Sequence, residues 1–204
     1  GTWLSTWQRF ETVYVATKYL AFAAFGWPYM GVGRNLAYRK SLFVRAEGFR
    51  SHADLAGGDD DLLIGHHALP ATTVPVNDPA AWTWSAPHRS WRAYWRQRRR
   101  HQSVGTRYPW RYALVLGGVA LSHGLFYLLG FVLLFTPFRW LVLAVYAWRL
   151  LFVVATYLEP LRGAAAGAGL SLKTFVQLLL CDALLGPMYL WLSLSPLFPR
   201  RGTW

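Results

Sequence analysis

The stretch Tyr112–Phe135, YALVLGGVALSHGLFYLLGFVLLF, carries no charged residue over 24 positions. As a helix it is about 36 Å long, enough to cross the ~30 Å hydrocarbon layer of a bilayer. Thr136-Pro137-Phe138-Arg139 reads as a tight connection. Trp140–Tyr157 is then a second span, weakened by Arg149. Glu159–Lys173 is a Gly/Ala-rich loop, and Thr174–Phe198 is a third apolar stretch, interrupted by Asp182 and by Gly186-Pro187. A membrane region over 112–204 is expected, with two or three transmembrane helices at about 112–135, 140–157 and 174–198. His123 and Asp182 read as polar residues facing the bundle interior.

Composition agrees with a bilayer. The 204 residues are 54% hydrophobic, 17% aromatic and only 15% charged, too apolar for an ordinary soluble domain. The net charge of +12 suits nucleic acid or an anionic lipid leaflet. A hydrophobic span starting so soon after the basic residues argues against nucleic acid. Cys181 is the single cysteine, so no internal disulfide forms. Residues 1–30 lack the charged, apolar, small-residue order of a signal peptide, and the chain is expected to begin inside a domain. Arg89, Arg92, Arg96, Arg98, Arg99, Arg100, Arg107 and Arg111 all precede the first span, which places 1–111 in the cytoplasm. Three full spans would then put Arg200-Arg201 outside, against the same rule. Either the third stretch does not cross or the rule is broken.

The first 111 residues are mixed in character. Phe10, Tyr14, Ala21 and Phe25 recur at helical spacing, which predicts a helix lying against a membrane or a core. Lys18 and the Gly26-Trp27-Pro28 break leave too short an apolar run for a span. Gly31-Val32-Gly33 predicts a turn, Asn35–Arg39 a short strand, Ser41 a helix cap, and Gly48-Phe49 a helix end. A helix is expected from Asp59 to about Ala68, a strand at Thr72–Val76, and a basic aromatic helix at 89–104.

Two runs carry possible chemistry. Asp59-Asp60-Asp61 follows Gly57-Gly58. Adjacent carboxylates repel, so the run needs a reason. It caps a helix start and suits the helix dipole, or it supplies a general base, or it forms part of a metal-binding pair. The lead-in Leu55-Ala56-Gly57-Gly58 is not the apolar strand that aims an Asp-x-Asp pair at a cation. Gln97-Arg98-Arg99-Arg100-His101 is the second run. Gln97 and Arg100 share a helix face with His101 beside them, while Trp91, Tyr94, Trp95 and Arg98 form an adjacent face. That pattern fits a membrane-surface helix. It also fits a site where Arg neutralises a diphosphate and a flat ring stacks on a sugar. His52, His66, His67 and His88 lack metal-ligand spacing and read as ordinary polar residues.

In this order the motifs resemble the C-terminal half of an inverting, membrane-associated family 2 glycosyltransferase, the family of cellulose, chitin and hyaluronan synthases and their non-processive bacterial relatives. Gly31–Arg39 is similar to the family's glycine-led acceptor-side strand, and Phe43 through Gly48-Phe49 to its "F…GGF" stretch. Gly58-Asp59-Asp60 resembles the Glu-Asp or Gly-Asp-Asp motif, whose last Asp is the base. That form prefers Asp60, and a frame one residue earlier selects Asp59. Gln97, Arg100 and His101 match Gln-x-x-Arg-Trp, with His in place of Trp, a departure that weighs against processive synthesis. Pro87 and Trp91 sit where the family often has a Pro and a Trp. Arg200-Arg201-Gly202-Thr203-Trp204 is similar to a tail found in bacterial members.

The resemblance implies an α/β fold, the acceptor-side half of a GT-A nucleotide-sugar transferase over 1–111, followed by an all-α transmembrane region. It implies transfer of a sugar from a nucleotide diphosphate sugar to a lipid or saccharide hydroxyl with inversion. Asp60 or Asp59 would act as base, with Gln97, Arg100 and His101 on the diphosphate and substrate. A divalent cation, Mg²⁺ or Mn²⁺, is implied with its ligands outside this chain. So is a multi-pass place in an inner or plasma membrane, with the catalytic part cytoplasmic, and inactivity of residues 1–204 alone. A reading from another class is a non-enzymatic basic protein that docks to anionic lipid or a partner subunit.

Overall fold

The computed structural model describes residues 2–55, 57–164 and 171–194. These form seven α-helices and five short 3-10 turns: α1 Trp3–Ala24, α2 Lys40–Arg45, α3 Asp61–His67, α4 Trp91–Val104, α5 Trp110–Leu133, α6 Arg139–Ala164 and α7 Leu172–Leu194. The middle of the Gly/Ala-rich loop, the end of the third apolar stretch and the tail Arg200–Trp204 lie outside the described residues.

The expected α/β fold is overturned: no strand occurs among the described residues. An extended segment becomes a strand only when a neighbour takes up its N–H and C=O groups. Asn35 ends a 3-10 turn, and Leu36 and Arg39 are extended (φ −133° and −69°), but α2 begins at Lys40 before a ladder can form. Thr73 follows the Pro70–Thr72 turn and is extended too (φ −106°). Pro75 and Pro79 remove donors just beyond it. The expected cap at Ser41 also fails. Arg39 holds the N-cap position of α2 with no side-chain hydrogen bond.

The chain divides into two compact units. One comprises Thr6–Val13 and the chain from Val115 onward; the other comprises Thr2–Ser5 and Tyr14–Leu114. In the first, three helices are long and apolar enough to cross a membrane: Trp110–Leu133, Arg139–Tyr157 and Leu172–Ser193. Leu121, Phe131, Leu141, Leu151, Phe152 and Leu190 are exposed along them, a surface that hydrocarbon tolerates and water does not. Glycines let the helices approach. A Cβ at Gly186 would lie 3.4 Å from the Gly124 Cα, and one at Gly130 would collide with the Tyr146 hydroxyl. The Thr6–Val13 segment of α1 adds a buried Glu11, toward which the Tyr189 hydroxyl points, and Phe10, stacked on Tyr157 at 4.3 Å.

The polar residues of these helices converge near their midpoints. Arg149 donates from Nε to Asp182 Oδ2 at 2.7 Å and from Nη2 to Asp182 Oδ1 at 2.9 Å. The Tyr127 hydroxyl donates to the same carboxylate. His123 Nε2–H donates to the Asp182 carbonyl at 2.9 Å, which leaves Nδ1 to accept from Arg149 Nη2 at 3.0 Å. The guanidinium also lies 5.0 Å from the centre of the Phe126 ring. The two charges that break the apolar runs of α6 and α7 are thus one bidentate pair. The Asp182 side chain is 4% exposed and that of Arg149 30%.

Removing either partner leaves the other charge uncompensated in an apolar setting. Arg149→Leu and Asp182→Leu should each destabilise the detergent-solubilised protein by ~3 kcal/mol, read as a lower thermal midpoint. The double variant should recover much of that loss. A double variant no more stable than the worse single variant would show that the pair is not the coupling element.

Candidate functional site

The second unit is built around close backbone approaches. Gly65 of α3 packs on the Tyr29 carbonyl so tightly that a Cβ would lie 2.6 Å from that oxygen. Leu62, Leu63 and Ile64 of α3 are buried, as are Tyr29, Tyr94 and Val104. Gly58 has φ +97°, a left-handed conformation that favours glycine, and a Cβ there would sit 2.9 Å from Val104 Cγ1. At Gly57 the nearest atoms to an added Cβ belong to the Arg100 side chain, at 3.8–3.9 Å. Gly57-Gly58 therefore admits the end of α4 directly over the acidic turn.

The three aspartates occupy three environments. Asp60 is the N-cap of α3. Its Oδ1 accepts from the Asp61 N–H at 2.9 Å and its Oδ2 from the Gly33 N–H at 2.6 Å. Both are charge-assisted bonds that satisfy backbone donors otherwise left open. Asp61 is buried, and its Oδ2 accepts from the Tyr108 hydroxyl at 3.2 Å. Burial, then the charge of Asp60, push its carboxyl up to about 7; the Tyr108 hydrogen bond opposes this and Asp59 adds to it. Tyr29 packs edge-on against Tyr108, and burial followed by the charge of Asp61 raises both phenols. Asp59 is exposed, accepts no hydrogen bond among the described residues, and lines a cavity of about 300 Å³ with Phe49, His52, Ala53, Leu55 and Gly57.

On α4, Ser90 caps the start by accepting from the Ala93 N–H at 3.3 Å. The Trp91, Tyr94 and Trp95 rings cluster on one face, and the Arg98 guanidinium lies 5.5 Å from the Tyr94 ring centre. Gln97 Oε1 accepts from His88 Nε2 at 2.7 Å, so its carbonyl is already engaged. His101 is held below the ordinary histidine range, first by partial removal from water and then by Arg98 and Arg100. Asp60 opposes this shift and Arg34 adds to it. Its ring is therefore neutral near pH 7, flat and surrounded by cations.

The structure thus brings together Asp59, Asp60, Arg100 and His101, with Gln97 turned to His88. Sequence reasoning missed Arg34, which follows the Gly33 that binds Asp60 and whose charge adds to the lowering of His101. It also missed the burial of Asp61, which no residue pattern in the run distinguishes from its neighbours. The carboxylates here do not fit a divalent cation. Both Asp60 oxygens hold backbone N–H groups, Asp61 is buried on Tyr108, and no cluster of three metal-ligating side chains occurs among the described residues. No known family, curated protein or solved structure matches the chain.

Because the folded-state value of Asp61 lies above its ordinary 3.8, the folded protein holds this proton more tightly than the unfolded chain. The contribution is fully present below about pH 4 and is lost as pH rises through 7, a change of up to ~4 kcal/mol. Asp61→Asn should remove that slope and raise the thermal midpoint at pH 8 relative to the parent. Parallel pH–midpoint curves for the two proteins would show that Asp61 is not the group responsible.

Proposed function

We propose that this chain serves an inverting, membrane-bound glycosyltransferase that moves a sugar from a nucleotide diphosphate sugar to an acceptor hydroxyl. The observation that carries the reading is the crossing of α4 over Gly57-Gly58. It joins a carboxylate turn to a cationic, aromatic helix about forty residues away in the chain. Inverting transfer needs both parts at once. A base takes the proton of the attacking hydroxyl, and cations meet the charge that develops on the leaving diphosphate.

The Gly-Asp-Asp form prefers Asp60 as base, but the arrangement supports Asp59. Asp60 spends one lone pair of each oxygen on a backbone N–H, which suits a positioning role. Asp59 is exposed and unengaged, beside a cavity. As the acceptor oxygen bonds to the anomeric carbon, its proton passes to Asp59. The bond from that carbon to the diphosphate oxygen breaks on the opposite face, and its electron pair leaves with the nucleoside diphosphate. Arg100, with its planar fork of donors, neutralises that charge, and Arg34 adds to the field. His101, neutral and flat, packs against a sugar ring. The carboxylates of this turn do not hold the divalent cation that the family resemblance implies; such an ion would supply positive charge for the diphosphate from ligands outside the turn. The Arg residues before α5 support a cytoplasmic site at an inner or plasma membrane.

The test uses membranes carrying the protein expressed from its complete reading frame and a panel of radiolabelled nucleotide sugars. Asp59→Asn should lower transfer by ~10²–10⁴ and Asp60→Asn by about tenfold or more through lost positioning. Arg100→Lys should lose most activity, because an ammonium does not reproduce a bidentate fork, while Arg92→Lys should change little. Equal, small effects at all four positions, or no donor consumed by the parent, would overturn the reading in favour of a basic protein that docks to anionic lipid.

A further inference from the structure

Helix α3 is tied near both ends to the two residues that lead into the first span. At its start, the Tyr108 hydroxyl donates to Asp61 Oδ2 at 3.2 Å, across 47 positions of chain. Near its end, His66 Nε2–H donates to the Arg107 carbonyl at 2.9 Å. Pro109 follows these two residues, and α5 starts at Trp110. The two ties differ in setting. His66 is exposed, whereas Asp61 is only 5% exposed. Tyr29 supports the buried tie. Its carbonyl meets Gly65 of α3, and its ring packs edge-on against Tyr108 at 6.2 Å. The same ring lies 6.3 Å from that of Tyr112, in the first turn of α5. The reaction just described uses neither Asp61 nor Tyr108.

We propose that Asp61 is a positioning residue for transfer: its hydrogen bond with Tyr108 fixes the Asp59-Asp60 turn against the segment that enters the membrane. This role rests on the transferase reading and adds the group that keeps its base in place. Asp61 supplies the N–H that Asp60 Oδ1 accepts, while Asp60 Oδ2 holds the Gly33 N–H. A shift of Asp61 therefore moves the cap, the glycine turn and the adjacent Asp59 together. The neutral carboxyl suits the place. Asp60 and Asp59 face it from its own turn, and Tyr108 and Tyr29 from the neighbouring segments; none of these is a cation. A carboxylate there would be buried beside two others and drawn toward water, and the start of α3 with it. Ionisation of Asp61, which begins as pH approaches about 7, thus loosens the turn. An Asn side chain keeps an oxygen for the Tyr108 hydroxyl and does not ionise.

Steady-state transfer and amide hydrogen exchange of the detergent-purified protein, expressed from its complete reading frame, test this together. Parent kcat should fall about tenfold between pH 6 and pH 8, as the neutral form of Asp61 is titrated away. Asp61→Asn should keep its pH 6 rate at pH 8. Tyr108→Phe should lower kcat about tenfold at pH 6 with the KM for the nucleotide sugar unchanged, because Arg100 and His101 stay in place. Adding Asp61→Asn to Tyr108→Phe should cost little more, since both act on one bond. After correction for intrinsic rates, the amides of Leu62, Leu63 and Ile64 should exchange faster in the parent at pH 8 than at pH 6. They should exchange faster in Tyr108→Phe at both values, and show no such rise in Asp61→Asn. Parental kcat in Tyr108→Phe, even with a lower thermal midpoint, would mark the bond as merely structural and overturn the role. So would equal pH profiles for the parent and Asp61→Asn. The expected exchange pattern in a protein that consumes no nucleotide sugar would leave the tie standing and sink the transferase reading instead.

Discussion

One carboxylate, Asp60, holds two backbone N–H groups that belong to different parts of the chain. Its bond to Asp61 opens α3, and its bond to Gly33 ties the glycine turn to that helix start. The remaining geometry of the site depends on this junction. With the turn fixed, Gly58 takes a left-handed conformation and Val104 closes over it, which sets where α4 crosses. Arg100 and His101 then stand over carboxylates that a random coil would keep well apart. A buried N–H without a partner is costly, so the junction is stabilised by the same bonds that aim the turn.

Helices long and apolar enough to cross a membrane were legible from sequence because their signal is additive. Some twenty mostly apolar residues leave few alternatives: α5 and α7 begin within two residues of the expected limits, whereas α6 runs on from the expected end at Tyr157 to Ala164. Strand assignments failed for the opposite reason. Asn35–Arg39 and Thr72–Val76 have β-like composition, but a strand is a property of a pair, and composition does not supply a neighbour. Caps behaved unevenly. The cap expected at Ser41 fails because α2 starts at Lys40, two residues before such a cap would allow, and the cap that Ser90 gives α4 was not among the caps read from the sequence.

The candidate site could be read from the sequence as residue types and not as environments. Asp59, Asp60 and Asp61 are identical letters in a row, yet one faces a cavity, one caps a helix and one is buried on a tyrosine. Those differences come from Gly33 and Tyr108, which lie 27 and 47 residues away. His52 read as an isolated polar residue because its burial against Phe49 does not show in the spacing. Arg149 and Asp182 read as separate flaws in two apolar runs. Folding turns them into one pair, bonded further to His123 and Tyr127, in the setting where an unpaired charge is least tolerated.

The reaction proposed for this chain is a direct displacement at a sugar carbon, with a single carboxylate base and a cationic helix. The anomeric configuration of the product tests it most directly. The protein expressed from its complete reading frame would be given an α-linked nucleotide sugar and a hydroxyl acceptor, and the new linkage read by the proton coupling constant at the anomeric carbon. A site with one free carboxylate beside the acceptor predicts a β-linked product, because one in-line step inverts the centre. An α-linked product would require two displacements or attack on the face that the diphosphate leaves, and would contradict the account.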